Sequence, residues 1–151
     1  MRVQLLLALL TVPAIALSQN EIQMKSTQFD NLTEEEKRVI VNKGTEPAFS
    51  GEYNKHFEAG TYACKACESP LFRSSNKFKS NCGWPSFDDE IKGAIKRKAD
   101  NSGGMVRTEI VCAACGGHLG HVFEGEQLTP KDTRHCVNSI SVIFVPEKTD
   151  D

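Results

Sequence analysis

Little in this chain points to a nucleic acid, a membrane or a repeat array. Its 18 basic and 20 acidic residues are interspersed and leave a net charge of −2, so no basic stripe faces a phosphate backbone. No internal repeat and no low-complexity tract is visible, and 151 residues fit one compact unit. Nothing reads as a strand–helix–strand alternation. After residue 18 no apolar run is long enough to span a bilayer. Tryptophan occurs once, at Trp84, which makes its surroundings worth reading closely.

The first eighteen residues have a character of their own. Arg2 gives a short basic start, an apolar run follows, and Ala16-Leu17-Ser18 has the small-x-small form of a cleavage site. A secretory leader at 1–18 is expected, cut before Gln19, with an uncleaved anchor as the competing reading. Loss of Arg2 leaves 17 basic against 20 acidic residues, a mature charge of −3. Export, to a periplasm or a secretory pathway, is therefore expected, with no stable membrane insertion afterwards. Asn31-Leu32-Thr33 is a glycosylation sequon in a eukaryotic host. Residues 19–31 are polar and aperiodic and read as a loose arm, 32–147 as the domain and 148–151 as a tail.

Thr33-Glu34-Glu35-Glu36 has the capping-box form, predicting a helix over 34–43 that stops at Gly44. Pro47 and Gly51 bound a loop from which Phe49 and Tyr53 are expected to pack back onto the body. From Gly60 onward short β runs alternate with turns: 61–63, 94–97, 108–111 and 122–123, with a hairpin tip at 100–104. The second half of residues 134–144 alternates and is rich in β-branched residues, and the stretch reads as a strand, which would turn Cys136, Asn138, Ile140, Val142 and Phe144 to a single face. The class is mainly antiparallel β with one or two peripheral N-terminal helices.

Cysteine is what this chain has in quantity. Six thiols in an exported protein must be held by metal, paired or at work. Cys64-x-x-Cys67 and Cys112-x-x-Cys115 each follow a strand-like run and are separated by 44 residues. Two such knuckles close a four-sulfur shell around one zinc ion, a structural site with no open position. Two disulfides compete with this reading. So does a redox Cys-x-x-Cys, which lacks its βαβ setting. A local site of Cys112, Cys115, His118 and His121 is also conceivable, but it would leave Cys64 and Cys67 idle.

Cys82 and Cys136 remain. Arg134 beside Cys136 favours the nucleophilic thiolate, while a small buried cysteine at a strand end is the plainer reading. Trp84, two residues after Cys82, offers a flat apolar wall to a thioether or sulfoxide methyl. His118 and His121 add imidazoles that titrate near neutral pH when unperturbed.

Taken together, the motifs resemble the B-type methionine sulfoxide reductases, over about residues 33–146. The resemblance rests on Gly44-Thr45-Glu46-Pro47-Ala48-Phe49-Ser50-Gly51, both Cys-x-x-Cys pairs and Cys82-Gly83-Trp84-Pro85-Ser86-Phe87. His118-Leu119-Gly120-His121-Val122-Phe123-Glu124-Gly125 and Arg134-His135-Cys136-Val137-Asn138-Ser139 complete it. It implies small coiled antiparallel sheets of the Mss4-like kind, a four-cysteine zinc clamp and reduction of methionine-R-sulfoxide in oxidised proteins or peptides. Cys136 would be the nucleophile and Cys82 the resolving thiol, joined in a Cys82–Cys136 disulfide that a thioredoxin-like reductant reopens. His121 would be the first proton donor with His118 in support, Trp84 and Phe87 the methyl-binding wall, and Asn138 and Arg134 the residues that hold the thiolate side. His135 departs from the aromatic that many members carry there. A monomer is expected. An exported zinc-binding interaction module, with Cys82–Cys136 as a permanent disulfide, is the alternative class.

Overall fold

The computed structural model describes residues 28–148. The expected leader and most of the arm, and the last three residues of the tail, lie outside the described residues.

Helix α1 covers Glu34–Ile40 and begins as its capping box requires. Thr33 Oγ1 accepts the Glu36 N–H at 3.2 Å, and the Glu36 carboxylate accepts the Thr33 N–H at 2.8 Å. It ends three residues earlier than expected, because Lys43 turns left-handed (φ 57°) and Gly44 N–H reaches back to Arg38 O at 3.0 Å. Gly44 serves that closure through its missing side chain, since a Cβ there would lie 2.6 Å from the Arg38 oxygen. Val39 and Ile40 are the buried face. This is the one α-helix among the described residues, and no described helix is long and apolar enough to cross a membrane.

Nine strands among the described residues form two antiparallel sheets. The smaller has the order β2 (Pro70–Arg73), β1 (Gly60–Cys64), β9 (Val142–Pro146). The larger runs β3 (Lys77–Phe78), β4 (Ser86–Phe87), β8 (Thr133–Val137), β7 (His118–Glu124), β6 (Arg107–Cys112), β5 (Ile95–Asp100). Their inner faces meet in one core, where Tyr62, Leu71 and Phe72 pack with Phe87, Ile110 and Leu119. Phe72 and Phe87 stack at 4.4 Å. β5, with Lys96, Arg97 and Lys98 in its middle, is a charged edge that discourages further strand pairing. The turn expected at 100–104 is its connection to β6.

The single strand expected over 134–144 is instead two strands in different sheets, separated by a 3-10 turn at Ser139–Ser141. Buried Glu46 makes the break. Its carboxylate accepts the Ser139 N–H at 2.5 Å and the Ile140 N–H at 3.1 Å, taking both from any ladder. Asn138 fixes the other side, with its Oδ1 accepting from Glu46 N at 3.0 Å and its Nδ2 donating to Leu119 O at 3.1 Å. Hydrophobic alternation cannot register a carboxylate arriving from 93 residues upstream.

Three smaller expectations are also corrected. Phe29, at the end of the supposed loose arm, packs against the core cluster. Tyr53 packs inward as expected, but Phe49 stands in solvent at 65% exposure. Trp84, which the Gly83 and Pro85 loop around it would be expected to expose, is half-buried and donates its indole N–H to Glu46 O at 3.1 Å.

A hydrogen bond to a charged group contributes about 1.5–3 kcal/mol. Glu46→Ala, which removes two of them and leaves their donors buried, should lower the urea-unfolding free energy by about 3 kcal/mol. A loss below about 1 kcal/mol would contradict the carboxylate's role in breaking the strand.

Candidate active site

The six cysteines divide as four and two. β1 delivers Cys64 and the turn after it Cys67; β6 delivers Cys112 and the turn after it Cys115. Each turn closes on itself: Glu68 N–H donates to Cys64 O at 2.8 Å, and Gly116 N–H to Cys112 O at 2.9 Å. All four sulfurs lie within 4.8 Å of one another, with Cys64–Cys115 at 3.7 Å and Cys67–Cys112 at 3.6 Å. A tetrahedral ion with metal–sulfur bonds of about 2.3 Å needs sulfur–sulfur edges of about 3.8 Å, so the quartet is built to bind a metal. Without a cation the arrangement opposes multiple thiolates: hydrogen bonding to Cys112 and Cys115, then burial, pushes the Cys64 thiol far up. His118 and His121 take no part in this group, which removes the mixed cysteine–histidine site.

Cys82 and Cys136 meet elsewhere, their sulfurs 3.9 Å apart. Cys136 sits in β8, directly opposite Ser86 of β4 on one side and His121 of β7 on the other. Directly paired residues of neighbouring strands project to the same face, so register alone brings the thiol and the imidazole together. Gly120 makes this approach possible. At φ 153° it lies against Cys136 O, where a Cβ would be 2.0 Å from that oxygen.

The result is a cleft of about 120 Å³ walled by Thr45, Trp84, His121, Phe123, Cys136 and Asn138. Arg134 is buried beside it, gripped in two bonds by Glu126 at 2.7 and 2.8 Å, with its guanidinium 4.5 Å over the Phe123 ring. His121 Nε2 lies 2.8 Å from Asp100 Oδ2. Because a carboxylate can only accept, that nitrogen carries the proton. Asp100 is itself pinned by Ser102 N and Oγ at 2.9 and 2.6 Å and by Arg107 at 2.9 Å, and these partners hold it well below the usual carboxylate range.

Two predicted site residues are elsewhere. Phe87 is fully buried in the core stack and cannot form a substrate wall; Phe123 is the second aromatic of the cleft. His118 does not line the cleft. It is 2% exposed, donates Nδ1–H to Glu109 at 2.8 Å, and burial lowers its pKa, keeping it neutral behind the His121 ring at 5.6 Å. His135, beside the nucleophile in sequence, faces the core instead. It bonds Phe87 O at 3.1 Å and Glu90 at 2.5 Å and packs on Phe72, an aromatic's place filled by an imidazole.

The two sulfurs titrate as a pair. A hydrogen bond from Cys136 pulls Cys82 down, burial opposes this, and Ser80 and Ser86 add to the pull, leaving it at about 4. The same contact, then burial, raises Cys136, with Arg134 pulling the other way. One thiolate is therefore stable at neutral pH and a second is not. In this arrangement the charge rests on Cys82, while the Arg134 guanidinium favours a thiolate on Cys136.

Against this geometry, the chain matches the SelR domain over residues 32–146. The chain belongs to the SelR family. Peptide methionine sulfoxide reductase MsrB of Teredinibacter turnerae is 56% identical over 119 residues, covering 78% of this chain and 87% of that protein. Peptide methionine sulfoxide reductase B5 of Arabidopsis thaliana is 52% identical over 119 residues, covering 78% and 84%. Peptide methionine sulfoxide reductase B2, chloroplastic, from the same plant, is 56% identical over 117 residues, covering 77% of this chain. The chain spans 57% of that relative's length. The SelR match spans every site element above, from α1 to β9.

Several working residues were not visible as such in the sequence. Asp100 lies in an expected turn, Glu109 in an expected strand and Glu46 in one of the quoted motifs, and none is marked there as a working carboxylate. Each acts on a residue of another segment of the chain, which local spacing does not reveal.

At pH values between about 5 and 8 the pair should hold one thiolate. Iodoacetamide modification of the metal-loaded protein should therefore follow a midpoint near pH 4, set by Cys82, rather than the ordinary thiol value of 9.0. A rate that rises only above pH 8 would contradict a proton shared between the two sulfurs.

Proposed function

We propose that this chain is a thiol-dependent peptide-methionine (R)-S-oxide reductase. The observation that carries the proposal is the pair of sulfurs 3.9 Å apart, one of them on the floor of a cleft that also holds an imidazole and an indole. The cleft is small and mostly apolar with a few polar groups, as a methionine sulfoxide side chain requires, and Trp84 offers the flat face on which a sulfur-bound methyl packs.

Cys136 attacks the sulfoxide sulfur as thiolate, its proton passing to Cys82 and the charge held on the Arg134 side. His121 gives a proton to the sulfoxide oxygen, and Asp100 balances the imidazolium and fixes the ring. The oxygen then passes from the methionine sulfur to Cys136 Sγ as the sulfur–sulfur bond made in the attack opens, so methionine leaves as the thioether and Cys136 is left as a sulfenic acid. The Cys82 sulfur attacks the Cys136 sulfur and water departs, leaving a Cys82–Cys136 disulfide. Two thiols have then supplied two electrons and the oxygen has become water. A thioredoxin-like dithiol reopens the disulfide by exchange. Asn138, bonded to both Glu46 and Leu119, holds the β8 end beside Cys136, and His118 keeps the His121 ring in place from behind.

The four-cysteine group takes zinc. Its closed thiolate shell leaves no position for substrate, so the ion clamps β1 to β6 and has no part in turnover. Residues 1–18 are a leader removed before Gln19, and the enzyme works after export, on oxidised proteins or peptides.

Separated R and S sulfoxides of an N-acetylated methionine peptide, with dithiothreitol as reductant, test the reading. Turnover of the R epimer alone is expected; turnover of S, or of neither, overturns it. Cys136→Ser should lose all activity. Cys82→Ser should release one methionine per chain and then stop when thioredoxin is the only reductant. Sustained thioredoxin-driven turnover in that variant would remove Cys82 from the resolving role. Elemental analysis should give one zinc per chain, retained in His121→Ala and lost in Cys112→Ser, whereas loss of zinc with His121 would contradict the all-sulfur shell.

A further inference from the structure

The Cys82 loop has a second face. Trp84 forms a wall of the substrate cleft and also borders a groove of about 340 Å³ that runs over Phe49, Phe57, Lys55 and Lys79 to Ser80. No step above uses this groove. Its two outer rings are exposed to an extent that folding does not explain: Phe49 at 65% and Phe57 at 52%. Phe49 further stands on a left-handed backbone, φ 66°, which costs a bulky residue about 1–3 kcal/mol. What holds it there is the Cys82 loop itself, because Phe49 N–H donates to Gly83 O at 2.7 Å. Strain and exposed apolar surface therefore coincide at one place, and that place is attached to the resolving cysteine.

The groove is also one-signed. Lys55 and Lys79 are exposed along it, the Lys77 ammonium lies 3.9 Å over the Phe57 ring, and no acidic side chain is among its lining residues. It ends one hydrogen bond from the Cys82 sulfur. Ser80 lines the groove and donates its hydroxyl to Cys82 Sγ at 3.0 Å, whereas Cys136 opens to the cleft on the far side of Trp84.

We propose that this groove is the docking surface for a thioredoxin-type dithiol protein with an apolar contact face rimmed by acidic residues, reaching the disulfide from the Cys82 side. The proposal rests on the catalytic reading above and adds where the reductant binds. Its thiolate attacks Cys82 Sγ, the Cys82–Cys136 bond breaks, and Cys136 leaves as a thiolate beside Arg134. The partner's second thiol, deprotonated, then attacks its own sulfur in the mixed disulfide and releases Cys82, which shares the proton with Cys136. The partner leaves oxidised and both enzyme thiols are restored. Substrate and reductant thus approach one disulfide from two sides of a single indole, and flanking chain of a bulky oxidised protein need not be cleared before recycling.

The test compares Phe57→Ala and the pair Lys55→Glu with Lys79→Glu against wild type, using reduced thioredoxin with its reductase, and separately dithiothreitol. The variants should raise the KM for thioredoxin about tenfold, equivalent to about 1.4 kcal/mol, with kcat held. Turnover with dithiothreitol and the KM for the R-sulfoxide peptide should match wild type, which also shows that the variants fold. Added salt should raise the wild-type KM for thioredoxin and leave that of the charge-reversed variant flat. An unchanged KM for thioredoxin overturns the proposal, as does a raised KM for the peptide, which would give the groove to substrate. Wild type that turns over with dithiothreitol but not with thioredoxin also overturns it. Wild type inactive with both reductants removes the catalytic reading itself, a failure distinct from the others.

Discussion

The register of β8 between β4 and β7 is the constraint on which the site depends. Cys136 lies directly across from His121 on one neighbour and from Ser86 on the other, and direct cross-strand partners share a face. A slip of one residue would turn the thiol into the core and bring His135 or Val137 out in its place. The register is secured beyond ladder hydrogen bonds. Gly120 admits Cys136 O to a distance no side chain would allow, and Glu46 with Asn138 ends the strand at a fixed point by taking its next N–H groups.

Two sets of sulfurs then live under different electrostatic rules. The quartet is packed so closely that its members can all ionise only around a cation, which makes metal binding and the docking of β1 on β6 one event. The pair has hydrogen-bond donors for one charge only: the other thiol, Ser80 and Ser86 on the Cys82 side, and Arg134 on the Cys136 side. A shared proton keeps one sulfur nucleophilic while its partner waits protonated. That is what a sequence of attack and resolution needs, and a permanent structural bridge has no use for it. The carboxylates around the cleft serve the same end, since Asp100 orients His121, Glu126 orients Arg134 and Glu109 orients His118.

Much of this was legible in the sequence where the signal is local. The capping box gave the helix start, the Cys-x-x-Cys turns gave the metal quartet, and Asn101-Ser102-Gly103-Gly104 gave the β5–β6 turn. The division of six cysteines into four and two followed from spacing. What stayed hidden depends on distant partners. Residues 134–144 read as one strand from the alternation of their second half, but Glu46 splits that stretch between two sheets. Phe87 looked like part of the Trp84 loop, yet β4 pairing turns it into the core, and Phe123 of β7 supplies the cleft's aromatic instead. His135 and His118 share a residue type with His121 and differ from it in burial, which no motif encodes.

The division of labour among the sulfurs is tested most directly by mapping all six after a single turnover. Zinc-loaded, reduced protein is given one equivalent of methionine-R-sulfoxide peptide without reductant, then denatured in acid, alkylated and digested for mass spectrometry. The account predicts one methionine released per chain, a Cys82–Cys136 cross-link, and Cys64, Cys67, Cys112 and Cys115 all recovered as alkylated thiols. A cross-link that includes any of those four, or methionine release that leaves Cys82 and Cys136 both free, would contradict it.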